Sequence, residues 1–254
     1  MNLLKSEWIK VTTTKSAYWL YGIGIALAVG MAALFGQLEQ SGAGDPMAGE
    51  PGPGGDALFA LAGVSAFTVL LAWIAAIVAV TGEYRYHTIR PTFLVVPARW
   101  PAVVAKTVLF VVLSMVVVVV AVVVTLLVGG ALSGNDSWTP FSGDGLTYLW
   151  RFPVYTGLGT LAVMGLAYVM RNAAGTISLF LVWVLAIEGM ISLIPRVGPD
   201  IAGWMPFSNG DFWTQGEQMR GYVTWGEWPA FAWYAAVCVA LWIVGLVVTL
   251  RRDA

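Results

Sequence analysis

Apolar residues in this chain do not recur at the 3.6- or 2-residue spacing of half-buried elements; they run on in long blocks between short polar stretches. A helix needs about 20 mostly apolar residues to cross the hydrocarbon core of a bilayer. Six blocks meet that length, at about 18–36, 58–80, 102–132, 153–170, 176–194 and 228–250. The third is the longest and contains the valine run Val116–Val124, which in water would favour a strand. Within so long a block, helix is the expectation, because only helices and closed barrels satisfy the backbone in lipid. The fifth block is ended by Pro195. The predicted fold is an all-α integral membrane protein with six transmembrane helices and a single transmembrane domain over 1–254.

Composition agrees with that pattern. The chain has 254 residues, 59% hydrophobic and only 11% charged, whereas soluble domains carry about 25% charged residues. No basic patch points to a nucleic-acid partner. The single cysteine, Cys238, excludes an intrachain disulfide. Three lysines precede the first apolar run, which is too long and lacks the cleavage site of a signal peptide.

Charge orders the spans. Six crossings place both termini on one side, together with Lys5, Lys10, Lys15, Arg85, Arg90, Arg99, Lys106, Arg171, Arg251 and Arg252. Arg151, Arg196 and Arg220 fall on the other. The positive-inside rule then predicts cytoplasmic termini. Trp138, Trp150, Trp204, Trp213, Trp225 and Trp228 gather near the predicted outer interface, where indole rings are favoured. The Gly-, Pro- and acid-rich stretch 37–57 reads as an external loop.

Two polar segments lie on the predicted cytoplasmic side. Residues 1–17 are too short to span. As a helix they bring Leu4, Trp8 and Val11 to one face, with Lys5, Ser6 and Lys10 elsewhere, the pattern of an amphipathic interfacial helix. Such a helix is either a plain lipid anchor or part of a partner interface. The loop 81–101, TGEYRYHTIRPTFLVVPARWP, places Glu83, Arg85, His87, Arg90 and Arg99 between two long spans. Pro91, Pro97 and Pro101 divide it into stiff pieces. It reads either as an ordinary basic loop or as an elbow that passes a push from a soluble partner to the spans. His87 is the only histidine and has no cysteine or second histidine nearby for a metal site.

The run Gly82-Glu83-Tyr84-Arg85-Tyr86-His87-Thr88-Ile89-Arg90, followed by Pro97-Ala98-Arg99 and Lys106, resembles the cytoplasmic loop of ABC-2 type transporter permeases. The opening Ser6-Glu7-Trp8-Ile9-Lys10, with Thr12-Thr13-Thr14-Lys15 and Trp19, resembles the start of that family. The stretch Glu188–Trp213, with Pro195 and Trp204-Met205-Pro206-Phe207, resembles its fifth span and the segment after it. Pro91 after Thr-Ile-Arg and the Tyr86-His87 pair depart from the family pattern.

The resemblance implies the membrane subunit of an ATP-driven exporter in a bacterial plasma (inner) membrane, moving a hydrophobic or amphipathic substrate outward. It implies a pair of permeases, either two copies or this chain with a sister, seated on two cytoplasmic ABC ATPase subunits that carry ATP and Mg. ATPase coupling would fall to Glu83, Tyr84, Arg85, Thr88, Ile89 and Arg90, and to Glu7, Trp8 and Lys10 of the interfacial helix. Residues 195–227 would dip back into the outer leaflet. The chain has no G-x-x-x-x-G-K-[ST] sequence, so any such motor is a separate polypeptide. A non-transporting anchor or assembly subunit of another complex is the alternative.

Inside the spans, Glu188 is the one acid, and intramembrane acids are costly and enriched for function. It reads as a contact in the transport path or dimer seam, or as a hydrogen-bonded packing residue. Gly22, Ala26 and Gly30 form a small-residue row that permits close helix approach, at a subunit interface or in general packing. No nucleophile–base pair, carboxylate pair or metal cluster is visible, so no catalysis is expected of this chain.

Overall fold

The computed structural model describes residues 3–13, 15–40, 57–86, 100–134, 138–141 and 143–251. No strand occurs among them. A short helix, Leu3–Thr13, is followed by six helices long and apolar enough to cross a membrane: Lys15–Gln40, Ala60–Arg85, Trp100–Ser133, Gly143–Met170, Ala173–Leu193 and Glu227–Arg251. This is a multi-pass membrane protein. The 34-residue third span is about 50 Å long at 1.5 Å per residue, well beyond a hydrocarbon core of about 30 Å.

Several span ends differ from the sequence expectation. The first span runs on to Gln40 and the second to Arg85, which places Glu83, Tyr84 and Arg85 in helix and not in the expected loop 81–101. The fourth helix begins at Gly143, ten residues before Pro153, which lies inside it; spanning helices tolerate internal proline because their surroundings satisfy the freed backbone groups. The expected interfacial stretch 1–17 is divided, with one helix ending at Thr13 and the first span starting at Lys15.

Backbone proximity groups the chain into two compact units. The first contains 1–13, 76–111 and 157–254; the second contains 14–75 and 112–156.

In the second unit the first span buries Ala17, Tyr21, Gly24, Ala28, Ala32 and Gly36. Gly24 and Ala28 among them let the second span approach to backbone contact: a Cβ at Gly63 would lie 2.7 Å from the Cα of Ala28. Thr68 seals the same crossing by donating from Oγ1 to the Gly24 carbonyl at 3.0 Å. Trp73 is buried, packs on Tyr155 with ring centroids 5.5 Å apart, and donates its indole N–H to the Thr156 carbonyl at 2.9 Å. The predicted row Gly22, Ala26 and Gly30 is exposed, and a Cβ at Gly22 or Gly30 would meet nothing within 4 Å. The row is therefore not used in packing this chain's own helices.

In the first unit the fourth and sixth spans cross where Gly165 meets Gly245, and a Cβ built on Gly245 would lie 2.6 Å from the Gly165 Cα. The fourth and fifth spans are joined by two residues. Arg171 adopts a left-handed φ of 56° and its N–H reaches the Ala167 carbonyl at 2.9 Å, closing one helix. Asn172 is extended and its side chain accepts from the Gly175 N–H at 3.0 Å, opening the next.

The chain between the fifth and sixth spans folds into short helices, Gly198–Ala202 and Pro206–Gln215, with a 3-10 turn at Gly216–Met219. The helix Pro206–Gln215 has a polar sequence, yet most of it is buried. Asn209 makes this tolerable by using both ends of its amide. It donates to the carbonyls of Gly203 at 3.0 Å and Met205 at 2.8 Å, and accepts from the Trp225 indole at 2.7 Å.

Candidate functional site

Four charged side chains of the first unit close into a ring. Glu7 and Lys10 stand one turn apart on the N-terminal helix, which puts them on one face. Glu83 lies near the end of the second span and Lys106 in the second turn of the third. Lys10 Nζ bonds Glu7 Oε1 at 2.6 Å and Glu83 Oε1 at 2.8 Å. Lys106 Nζ bonds Glu83 Oε1 at 3.0 Å and pairs with Glu7 Oε2. Two ammonium groups thus alternate with two carboxylates, and the ring is neutral.

One side of the ring is withdrawn from water, with Glu7 3% and Lys106 6% exposed, while the Lys10 side chain on the other side is 40% exposed. Each buried charge would cost several kcal/mol alone, so the arrangement is tolerable only as a set. Burial by itself would raise the Glu7 carboxyl. Attraction to Lys106, with hydrogen bonds from Lys10 and Lys106, outweighs burial and holds the group below its ordinary 4.5. Burial would lower Lys10, but its bonds to Glu7 and Glu83 prevail and raise it above its ordinary 10.5.

These directions fix the pH dependence. The Glu7 contribution is complete above its ordinary value and is lost as pH falls through the depressed one. The Lys10 contribution is complete below its ordinary value and is lost as pH rises through the raised one. Thermal stability should therefore be flat from roughly pH 5 to 10 with respect to these two groups. Glu7→Gln should weaken the fall on the acid side, as a melting series in matched detergent would read. An unchanged acid limb would show that Glu7 does not titrate in this way.

Around the ring the helices are tied by further polar contacts. Trp242 of the sixth span donates to Thr107 Oγ1 at 3.1 Å, and Thr107 donates to the Val103 carbonyl at 2.8 Å. The Arg171 guanidinium lies 4.9 Å above the Tyr84 ring. The N-terminal helix, the second, third and sixth spans, and Arg171 just after the fourth thus contribute to one polar cluster within a single unit.

The structure separates the residues expected to couple to an ATPase. Glu83 and Tyr84 turn into the chain's own contacts. Arg85 and Tyr86 are exposed, with the Arg85 guanidinium 5.7 Å from the Tyr86 ring. Thr88, Ile89 and Arg90, with His87, Pro91, Pro97 and Arg99, lie outside the described residues. On the N-terminal helix, Glu7 and Val11 form the buried face, Lys10 is half-buried and Trp8 is exposed. Of the expected Leu4–Trp8–Val11 stripe, Val11 is buried and Trp8 is not, because the inward ion pairs of Glu7 set which face is buried; the Leu4 side chain lies outside the description. Lys106 carried no separate role in the sequence reading, although a lysine inside an apolar block requires a counter-charge.

Glu188 has a different surrounding. Its Oε1 accepts from the Trp183 indole at 2.9 Å and the Phe207 N–H at 3.1 Å. Its Oε2 accepts from the Ser208 N–H at 2.7 Å and hydroxyl at 2.9 Å. The carboxylate therefore caps the helix Pro206–Gln215, whose N-terminal N–H groups and dipole favour an anion. A π-helical turn at Val182–Ile187 helps, because i→i+5 winding brings Trp183 over Glu188. This geometry corresponds to the hydrogen-bonded packing reading. Glu188→Gln keeps the shape but loses acceptor capacity, and should cost about 1–3 kcal/mol. Denaturation in mixed micelles would measure it; a loss near zero would mean that the cap is dispensable.

Among the described residues, no three or more His, Cys, Asp or Glu side chains gather to hold a metal ion. Comparison with protein-family models, curated proteins and solved structures finds no match to this chain.

Proposed function

We propose that this chain is the permease subunit of an ATP-binding cassette exporter, of the ABC-2 type, driven by separate ATPase subunits on the side of its N-terminal helix. The observation that carries this reading is the ion-pair ring. A device meant only to anchor a helix to lipid does not need a buried Lys106–Glu7 pair and a half-buried Lys10–Glu83 pair joining it to the second and third spans. A device that passes force from a soluble motor does, because motion of the elbow after the second span must reach the spans without slack.

The sidedness follows the positive-inside rule, with both termini and the elbow cytoplasmic. The N-terminal helix lies in the headgroup layer with Trp8 toward it. The segment 195–227, with its buried helix and its tryptophans Trp204, Trp225 and Trp228, returns into the outer leaflet. The outward row Gly22, Ala26 and Gly30 supports a seam with a second permease, since small rows permit close helix approach. Substrate would be hydrophobic or amphipathic and would move by rigid-body rearrangement of spans.

Within the elbow, Arg85 and Tyr86 are the described side chains that a partner can reach. Arg85→Glu combined with Tyr86→Ala should weaken association with the ATPase about tenfold, with melting temperature unchanged. Titration of purified permease with its ATPase, read by ATP hydrolysis, would measure it. Undiminished association and hydrolysis would remove the elbow from the coupling path.

A further inference from the structure

A groove of about 660 Å³ runs between the start of the N-terminal helix and the start of the third span. Leu3 and Lys5 form one wall; Trp100, Pro101, Val104, Ala105 and Val108 form the other. The lining is almost wholly apolar, and Lys5 is its one charge. Both walls belong to the first unit, and the Glu7–Lys106 pair holds them together.

Two features say what fits. Val108 is about half exposed, and Val112 and Val116 follow it on the same helix face at four-residue spacing, also exposed. The apolar floor thus leads onto a lipid-facing stripe, where an acyl chain is the natural neighbour. Trp100 and Lys5, both exposed, stand at the other end, where an indole and an ammonium suit the headgroup layer. The volume lies within the range of about 300–1,000 Å³ typical of small-ligand sites.

We propose that this groove seats one molecule of an anionic phospholipid, with an acyl chain along Pro101, Val104 and Val108 and its phosphate on the Lys5 ammonium. The inference rests on the membrane reading of the chain and is independent of the transporter reading. Because the seat's two walls are the same elements that the ion-pair ring joins, a bound lipid would brace the N-terminal helix against the third span.

The test uses the full chain in nanodiscs of equal parts phosphatidylglycerol and phosphatidylcholine, released into the mass spectrometer to count retained lipids. Wild type should keep one phosphatidylglycerol in preference to phosphatidylcholine. Lys5→Gln should lower that retention about fivefold, Lys5→Arg should keep it, and Lys15→Gln, a control for general surface attraction, should not change it. Val104→Phe, which fills the floor, should reduce retention of both lipids. Equal retention in Lys5→Gln, or an equal loss in Lys15→Gln, would overturn the proposal. If Val104→Phe fails to fold, the lysine variants still decide.

Discussion

Replacing Lys106 with methionine should destabilise the protein by about 3–5 kcal/mol, the usual cost of removing one partner from a buried ion pair. Methionine fills a similar volume, so packing changes little. What changes is that Glu7 and Glu83 are left with Lys10 alone, and one negative charge is uncompensated among apolar helices. The double variant Lys106→Met/Glu7→Gln restores neutrality, because Lys10 still pairs with Glu83 at 2.8 Å. It should recover most of the loss, giving a coupling energy far from additivity. Denaturant titration in mixed micelles, followed by tryptophan fluorescence, would read all three proteins. A Lys106→Met variant as stable as wild type, or a double variant that simply sums the single losses, would show that the four charges do not act as one ring.

Gly165→Val should be the second most damaging change. A Cβ at this position would lie 2.6 Å from the Leu241 carbonyl carbon and 2.7 Å from the Trp242 Cα. Both obstacles are backbone, so no side chain can swing aside and the fourth and sixth spans must separate. Overpacking of a core usually costs about 1–3 kcal/mol; a branched side chain against backbone should reach the upper end or pass it. Gly22→Val and Gly30→Val are the matched controls, since no atom of this chain stands in their way. They should leave the stability of the single chain unchanged and lower only self-association, if the first span forms the permease seam. Folded yield and size-exclusion profiles in detergent separate these effects. A well-folded Gly165→Val protein would mean that the fourth and sixth spans do not cross at these glycines.

The membrane spans were legible because length and apolarity alone specify them. Their packing faces were not. Gly22-Ala26-Gly30 and Gly24-Ala28-Ala32-Gly36 are equally regular four-residue rows on one helix, and only contact with Gly63 and Thr68 selects the second for the interior. The N-terminal helix was recognised, but its orientation was not. Helical spacing shows that Glu7 and Lys10 share a face without showing what that face meets. The missing signal was charge parity: Lys106 inside an apolar block calls for a carboxylate, and Glu83 and Glu7 are, with the C-terminal Asp253, the acids on its predicted side. Glu188 was visible as an anomaly, while its four donors were not, because its cap depends on a π-helical turn and on a helix nineteen residues further along the chain. The start of the fourth span was obscured by Gly143, Gly145, Arg151 and Pro153, which read as breakers in water and are accommodated in the helix.

Within the first unit the short charged N-terminal helix is tied to the end of the second span and the start of the third. The ring ties that helix in place, and in the proposed coupling the exposed pair Arg85 and Tyr86 is the surface on which a partner would press. On the proposed reading neither feature calls for chemistry within this chain, and the energy source is assigned to another polypeptide.

Purification of the chain from its native membrane in a mild detergent, followed by native mass spectrometry and an ATP hydrolysis assay, is the most direct test of that assignment. The predicted result is a complex containing two permease chains and two nucleotide-binding chains, whose ATP hydrolysis changes when the permease is removed. A stable assembly in which no chain binds or hydrolyses ATP would contradict it.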